Sequence, residues 1–221
     1  MKKVSIVGLF TIIFLFSCAQ VPVYKDAATI PAQSEPFDVL KDYGLFVKPV
    51  ENLPPDFIMG MDISSLIALE KSGVVFRNSH GDPQDIFKTL SEAGINSIRV
   101  RIWNNPFTAD GKGYGGGNND IKTAIEIGKR ATQWGMSVLF DYHYSDFWAD
   151  PSKQQPPKAW KNLSFEAKTK ALYEYTKKTL RMALDAGVNV RFVQIGNETT
   201  GTFCGENNWI KIGTLMRAAS Q

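Results

Sequence analysis

From Phe57 onward, apolar runs of strand length alternate with longer stretches that have helical spacing. Phe57–Ile63 reads as a first strand. Asp82-Pro83 offers a helix N-cap followed by a proline at the first helical position, and the helix it predicts runs to Ala93 before Gly94. Ile95–Ile102 reads as a second strand. A helix starting at Asn118 or Asn119 reaches Trp134 and stops at Gly135, ahead of a strand at Met136–Asp141. Ser164 caps a third helix that ends at Gly187, and Val188–Asn197 is the fourth strand. One order recurs three times: helix, glycine, aliphatic residue, Asn or Ser, strand. The glycine supplies the left-handed backbone that terminates a helix.

Strands separated by helices must lie parallel, with the helices packed outside. These strands are apolar on both sides in places, as expected where one face is covered and the other filled. The pattern predicts an α/β fold, a (β/α)8 TIM barrel with elaborated loops. A doubly wound sheet is the structural alternative, but no Gly-x-Gly-x-x-Gly turn follows the first strand. Gly115–Gly117 precedes a helix without the lysine or spacing of a phosphate loop, and reads as a flexible loop. A complete barrel needs about 250 residues. Residues 57–221 carry only four predicted strands, so the expectation is the first four βα units, half of a barrel.

The segment before the domain has a different character. Lys2 and Lys3 precede an apolar run from Val4 to Phe16, too short to span a bilayer comfortably and suited to a secretory leader. Ser17-Cys18 directly after it resembles a bacterial lipoprotein signal, with Cys18 the acylated first residue of the mature chain. An ordinary signal peptide is the alternative. The expected layout is a signal peptide over 1–17, a lipid-anchored linker over 18–56 and a barrel domain over 57–221. The linker is proline-rich, with short local structure expected near Val39–Val47. Such a protein belongs to the bacterial cell envelope, anchored to a membrane through Cys18, on a side the sequence does not specify.

The net charge of +3 includes Lys2 and Lys3 of the leader, so no basic field argues for nucleic acid. With Cys18 acylated, Cys204 has no partner for a disulfide and reads as a small buried thiol. Two histidines in the whole chain exclude a histidine-rich metal site.

The chemistry gathers at strand ends. The fourth strand stops at Asn197-Glu198, placing a carboxylic acid at the mouth of the sheet, where barrel enzymes keep catalytic groups. The third runs into Asp141–Pro151, a stretch dense in acids and aromatics that contains His143. Glycoside hydrolysis uses two carboxylic acids, one as proton donor and the other as nucleophile or base. Glu198 suits the donor; Asp62, Asp141 and Asp146 are the acids available at other strand ends.

Five segments in order, Met59–Ser65, Arg99–Pro106, Asp141–Pro151, Gln155–Trp160 and Val193–Glu198, strongly resemble glycoside hydrolase family 53, the endo-β-1,4-galactanases. The resemblance runs from about Phe57 to Gln221. It implies a barrel of a large retaining clan, acting on β-1,4-galactan or type I arabinogalactan. Glu198 takes the acid/base role and Asn197 contacts the sugar beside the cleaved bond. The clan's nucleophile is a glutamate ending a seventh strand, which this chain does not contain, and none of the three aspartates replaces it. Arg101 and His143 fall where donors can hold carboxylates and sugar hydroxyls; a rim ion pair and a structural hydrogen bond are their alternatives. Asp62 and Asp146 either accept from sugar hydroxyls or brace loops. Trp103, Trp148 and Trp160 can stack on galactose or pack as core, Trp148 being the first choice for stacking, while Trp134 reads as core. No organic cofactor is implied; some relatives bind calcium, and no calcium loop is found here, which leaves calcium to the missing half. The rivals are a mannanase or cellulase of the same clan, and a non-catalytic glycan-binding lipoprotein.

Overall fold

The computed structural model describes residues 50–221. The leader at 1–17, Cys18, the Val39–Val47 segment and most of the 18–56 linker lie outside the described residues. Four strands, β1 (Gly60–Asp62), β2 (Ser97–Ile102), β3 (Ser137–Tyr142) and β4 (Val190–Ile195), form one sheet in sequential order. Every neighbouring pair is parallel. Five helices connect and follow them: α1 (Leu66–Lys71), α2 (Ile86–Glu92), α3 (Ile121–Gln133), α4 (Phe165–Asp185) and α5 (Trp209–Ala219). A parallel sheet in sequential order with a helix after every strand is the arrangement of four units of a (β/α)8 barrel.

Strand periodicity divides each strand's residues between two environments. Ile98, Val100 and Ile102 of β2 and Val138, Phe140 and Tyr142 of β3 are fully buried in the sheet–helix core with Phe87, Ala124, Ile127 and Leu172. Burying each large side chain of this kind contributes roughly 1.5–3 kcal/mol. The alternate positions, Arg99, Arg101 and Asp141 among them, turn to the opposite face, the interior of a barrel. The charged groups therefore share one face because the apolar ones claim the other.

The repeated helix-stop glycines behave as read, with Gly94, Gly135 and Gly187 at φ of 83°, 75° and 82°. Ser164 caps α4 through the Ala167 N–H. Two starts move. The cap of α2 is Asp85, which accepts from the Phe87 and Lys88 N–H groups, while Pro83 pairs with Arg77 in an isolated bridge. The cap of α3 is Asp120, because Asn118 is in the left-handed region and the buried Asn119 amide donates to the Ser64 carbonyl. Trp134 is a correction: it caps the C-terminus of α3 at 41% exposure and is not core. Among the described residues, no helix is long and apolar enough to cross a membrane.

Candidate active site

The C-terminal ends of the four strands open on one side of the sheet, and Arg99 of β2 links them all. Its guanidinium donates to Asp62 at the end of β1 (2.6 Å), to Asp141 of β3 (2.5 Å) and to Asn197 Oδ1 just past β4 (3.0 Å). It also lies 3.5 Å from Gln194 Oε1 of β4. Parallel register places Arg101, not Arg99, directly beside Asp141. The long Arg99 side chain reaches Asp141 diagonally, leaning along the strand direction. Burial works against its positive charge, and the Asp141 and Asp62 carboxylates outweigh that penalty, leaving its pKa raised.

Arg101 sits two residues on and on the same face, in different surroundings. It forms no ion pair among the described residues. It donates to Ser65 Oγ at 3.0 Å and to the Gly116 carbonyl, and its Nε is buried without a partner. Its guanidinium carbon lies 4.4 Å from the Trp148 ring centre and 5.1 Å from that of Trp103. Burial lowers its pKa, with the Asp62 charge opposing. Arg101 thus braces an aromatic wall and leaves the carboxylates to Arg99.

His143, directly after β3, is fully enclosed, and both ring nitrogens face protein. Nδ1 accepts from Trp103 Nε1 (3.2 Å) and from the Ala149 N–H (3.0 Å). Two donors on Nδ1 assign the ring proton to Nε2, which faces Asp141 Oδ2 at 3.0 Å, at an angle too oblique for a well-formed hydrogen bond. Asp141 is completely buried, so Arg99 is the cation that neutralises it. Asp146 braces loops: it accepts from the Asn105 and Lys158 N–H groups at 3.0 and 2.7 Å. Trp103 and Trp160 are buried, whereas Trp148 keeps 42% of its surface open beside Arg101.

Asn197 is held from three directions. Its Oδ1 accepts from Arg99, its Nδ2 donates to the Ala149 carbonyl at 2.7 Å, and its backbone carbonyl accepts from Gln154 Nε2 at 2.6 Å. Gly196 before it has φ of 85°, and a Cβ there would lie 2.5 Å from Thr199 and 2.8 Å from Phe203. Only glycine lets the chain turn so closely out of β4. Glu198 follows at φ of 49°, a left-handed backbone uncommon for a residue with a Cβ. Glu198 is partly buried, and its carboxyl takes no hydrogen bond or ion pair from the described residues. The arrangement offers one unengaged carboxylic acid, one fixed amide and a partly buried cation on a common rim, beside an exposed indole.

Sequence reading named Asp62, Arg101, His143, Asp146, Asn197, Glu198 and Trp148. The structure brings Asp62, Asn197 and Glu198 to the strand-end rim, with His143 behind Asp141 and Trp148 on the Arg101 wall. Arg99 and Gln154 were missed as site residues. The signal for Arg99 was its spacing of two from Arg101, which puts both on one strand face. Cys204 is enclosed, and burial pushes its thiol up to about 12, removing it as a nucleophile at neutral pH. No three His, Cys, Asp or Glu side chains form a metal-ligand group among the described residues.

Comparison with known proteins gives one consistent match. The profile of glycosyl hydrolase family 53 matches residues 58–221. An endo-β-1,4-galactanase of Bacillus subtilis (strain 168) is 60% identical over 182 residues, covering 82% of this chain and 42% of the relative. An arabinogalactan endo-β-1,4-galactanase of Humicola insolens is 34% identical over 169 residues, 73% of this chain and 47% of that one. Among solved structures, the Ignisphaera aggregans GH53 catalytic domain superposes with a TM-score of 0.77 at 38% identity, over 80% of this chain and 50% of that chain. The chain spans about half the length of the relatives it matches.

Proposed function

The chain belongs to glycosyl hydrolase family 53, and on that premise we propose that it supplies the acid/base half of a retaining endo-β-1,4-galactanase. The observation that carries this reading is Glu198, an unengaged carboxylic acid at the end of β4 beside an asparagine immobilised by Arg99. In the first step Glu198 donates its proton to the glycosidic oxygen as the bond breaks. In the second it takes a proton from the water that releases the product, the two-step course of retention. The nucleophile comes from the second half of the barrel, at the end of a seventh strand. Asn197 presents its remaining amide N–H to a hydroxyl of the sugar at the cleaved bond. Asp62, the Arg101 wall and Trp148 line the cleft, and Trp148 offers its open surface to the apolar face of a galactose unit. His143 and Asp146 act behind this surface, fixing Asp141 and the loops.

The substrate of the whole protein is galactan or type I arabinogalactan. The proposal for the N-terminus is acylation at Cys18, with residues 18–56 tethering the domain to a membrane of the cell envelope. Intact-mass analysis of the mature protein tests the anchor by the added acyl mass on Cys18. Product analysis of the full-length protein on galactan, mannan and cellulose tests the activity. Galacto-oligosaccharides from galactan alone, released first as the β-anomer, are expected. Cleavage of mannan or cellulose in preference would move the assignment to another activity, and binding of galactan without release of oligosaccharide would make the protein a glycan-binding one.

A further inference from the structure

Gln154 lies in the loop after β3 and is 95% enclosed by protein, with 5% of its surface exposed. Its Nε2 donates to the Asn197 carbonyl at 2.6 Å and to the Asp150 carbonyl at 3.2 Å. Its own backbone carbonyl accepts from the Gly205 N–H at 2.6 Å, in the loop after β4. One residue therefore ties both loops to the end of β4. The peptide it grips joins Asn197 to Glu198, and the Glu198 backbone leaves that peptide in the left-handed region. Such a conformation costs about 1–2 kcal/mol for a residue with a Cβ, and persists only where surrounding contacts over-determine it. Because no described group bonds the Glu198 carboxyl, its aim depends on the backbone that bears it. The Gln154 Oε1 is buried without a partner, a cost that an apolar residue of the same shape would avoid. The two N–H donors are what the glutamine contributes here.

We propose that Gln154 is a positioning residue for the acid/base step, locking the Asn197–Glu198 peptide so that the carboxyl faces the leaving oxygen. The inference rests on the assignment of Glu198 as acid/base. It is tested in the full-length protein with Gln154→Met, which removes both donors at nearly constant volume. Two substrates are compared: galactan, whose leaving sugar needs a proton, and 2,4-dinitrophenyl β-galactobioside, whose leaving group does not. The expected result is a loss in kcat/KM on galactan of the order of 10–100-fold, with the kcat/KM of the dinitrophenyl substrate, which reports the first step alone, within about 3-fold of the parent. Gln154→Glu is the second variant. Its protonated carboxyl can donate one hydrogen bond to the Asn197 carbonyl and its ionised form none, so its galactan activity relative to the parent should recover as pH falls. This readout decides the matter if Gln154→Met fails to fold. Unchanged galactan activity, equal losses on both substrates, or a pH-independent ratio for Gln154→Glu overturns the proposal. A parent protein inactive on galactan overturns instead the reading on which it rests.

Discussion

Removing Arg99 should destabilise the protein more than removing the acid it neutralises, and removing both should cost less than removing Arg99 alone. The Asp141 side chain has no exposed surface, whereas Arg99 keeps 33% and Asp62 keeps 35% of theirs. Breaking a fully buried pair costs about 3–5 kcal/mol because a charge is left without compensation. In Arg99→Met the stranded charge is Asp141, which keeps only the obliquely placed Nε2 of His143 and the unpaired Arg101 of the neighbouring strand, so we predict a loss of about 3 kcal/mol. In Asp141→Asn the stranded group is Arg99, which keeps Asp62 and partial hydration; the loss should be about 1–2 kcal/mol. The double variant Arg99→Met/Asp141→Asn removes both partners of the pair and strands neither, and should recover at least about 1 kcal/mol relative to Arg99→Met. Urea unfolding of the four proteins, followed by circular dichroism, gives the cycle directly. If adding Asp141→Asn to Arg99→Met destabilises further, Arg99 is not what pays for the buried carboxylate, and the account of the site's electrostatics is wrong.

Three other outcomes are expected. Trp148→Ala should raise KM on galactan roughly 5–30-fold, as loss of about 1–2 kcal/mol of stacking would, with kcat nearly unchanged; an unaltered KM removes Trp148 from the cleft. Trp134→Ser should shift stability by no more than about 0.5 kcal/mol, since this indole caps a helix in solvent; a loss of several kcal/mol in the same urea assay would restore it to the core. Glu206 joins Lys168 at 2.7 Å and Lys211 at 3.3 Å. Burial raises its pKa, and the two lysines outweigh that, holding it below the ordinary carboxyl value. A depressed folded pKa gives stability that is present above the unfolded value of about 4.3 and lost as pH falls through the folded value. The stability gap between parent and Glu206→Gln should therefore be widest near pH 7 and close below about pH 4. An equal gap at pH 3 and pH 7 would show that the carboxylate charge contributes nothing.

Legibility of the fold followed the length and regularity of each signal. The strands and the three longer connecting helices had a clear period, and three glycine stops punctuated them, so only their ends moved by a few residues. Helix α1, Leu66–Lys71, went unread because its six residues supply less than two turns of periodicity and no side-chain cap marks its start. The cap read at Asp82-Pro83 rests on local preference alone; Asp85 caps α2 instead, and Pro83 is drawn into a bridge with Arg77. At the site, Glu198 and Asn197 could be read because they stand where an apolar strand stops. The division of labour between Arg99 and Arg101 could not. Both face one way, and which one meets the acids depends on side-chain lean across three strands. Gln154 was invisible for a related reason: its partner lies 43 residues away, and nothing in the local sequence marks a side chain that bonds a distant carbonyl. Trp134 misled because an indole before a helix-stop glycine looks apolar enough to be buried.

The most direct test of the central claim is turnover of 2,4-dinitrophenyl β-galactobioside by full-length Glu198→Ala, with and without sodium azide. Without the acid/base residue the first step still proceeds on this activated substrate, and the covalent intermediate then waits for a base. The account predicts slow turnover that azide restores, with a β-configured galactobiosyl azide as the product. Undiminished galactan hydrolysis by the variant, or a loss on the activated substrate that azide neither relieves nor converts to the β-azide, would contradict it.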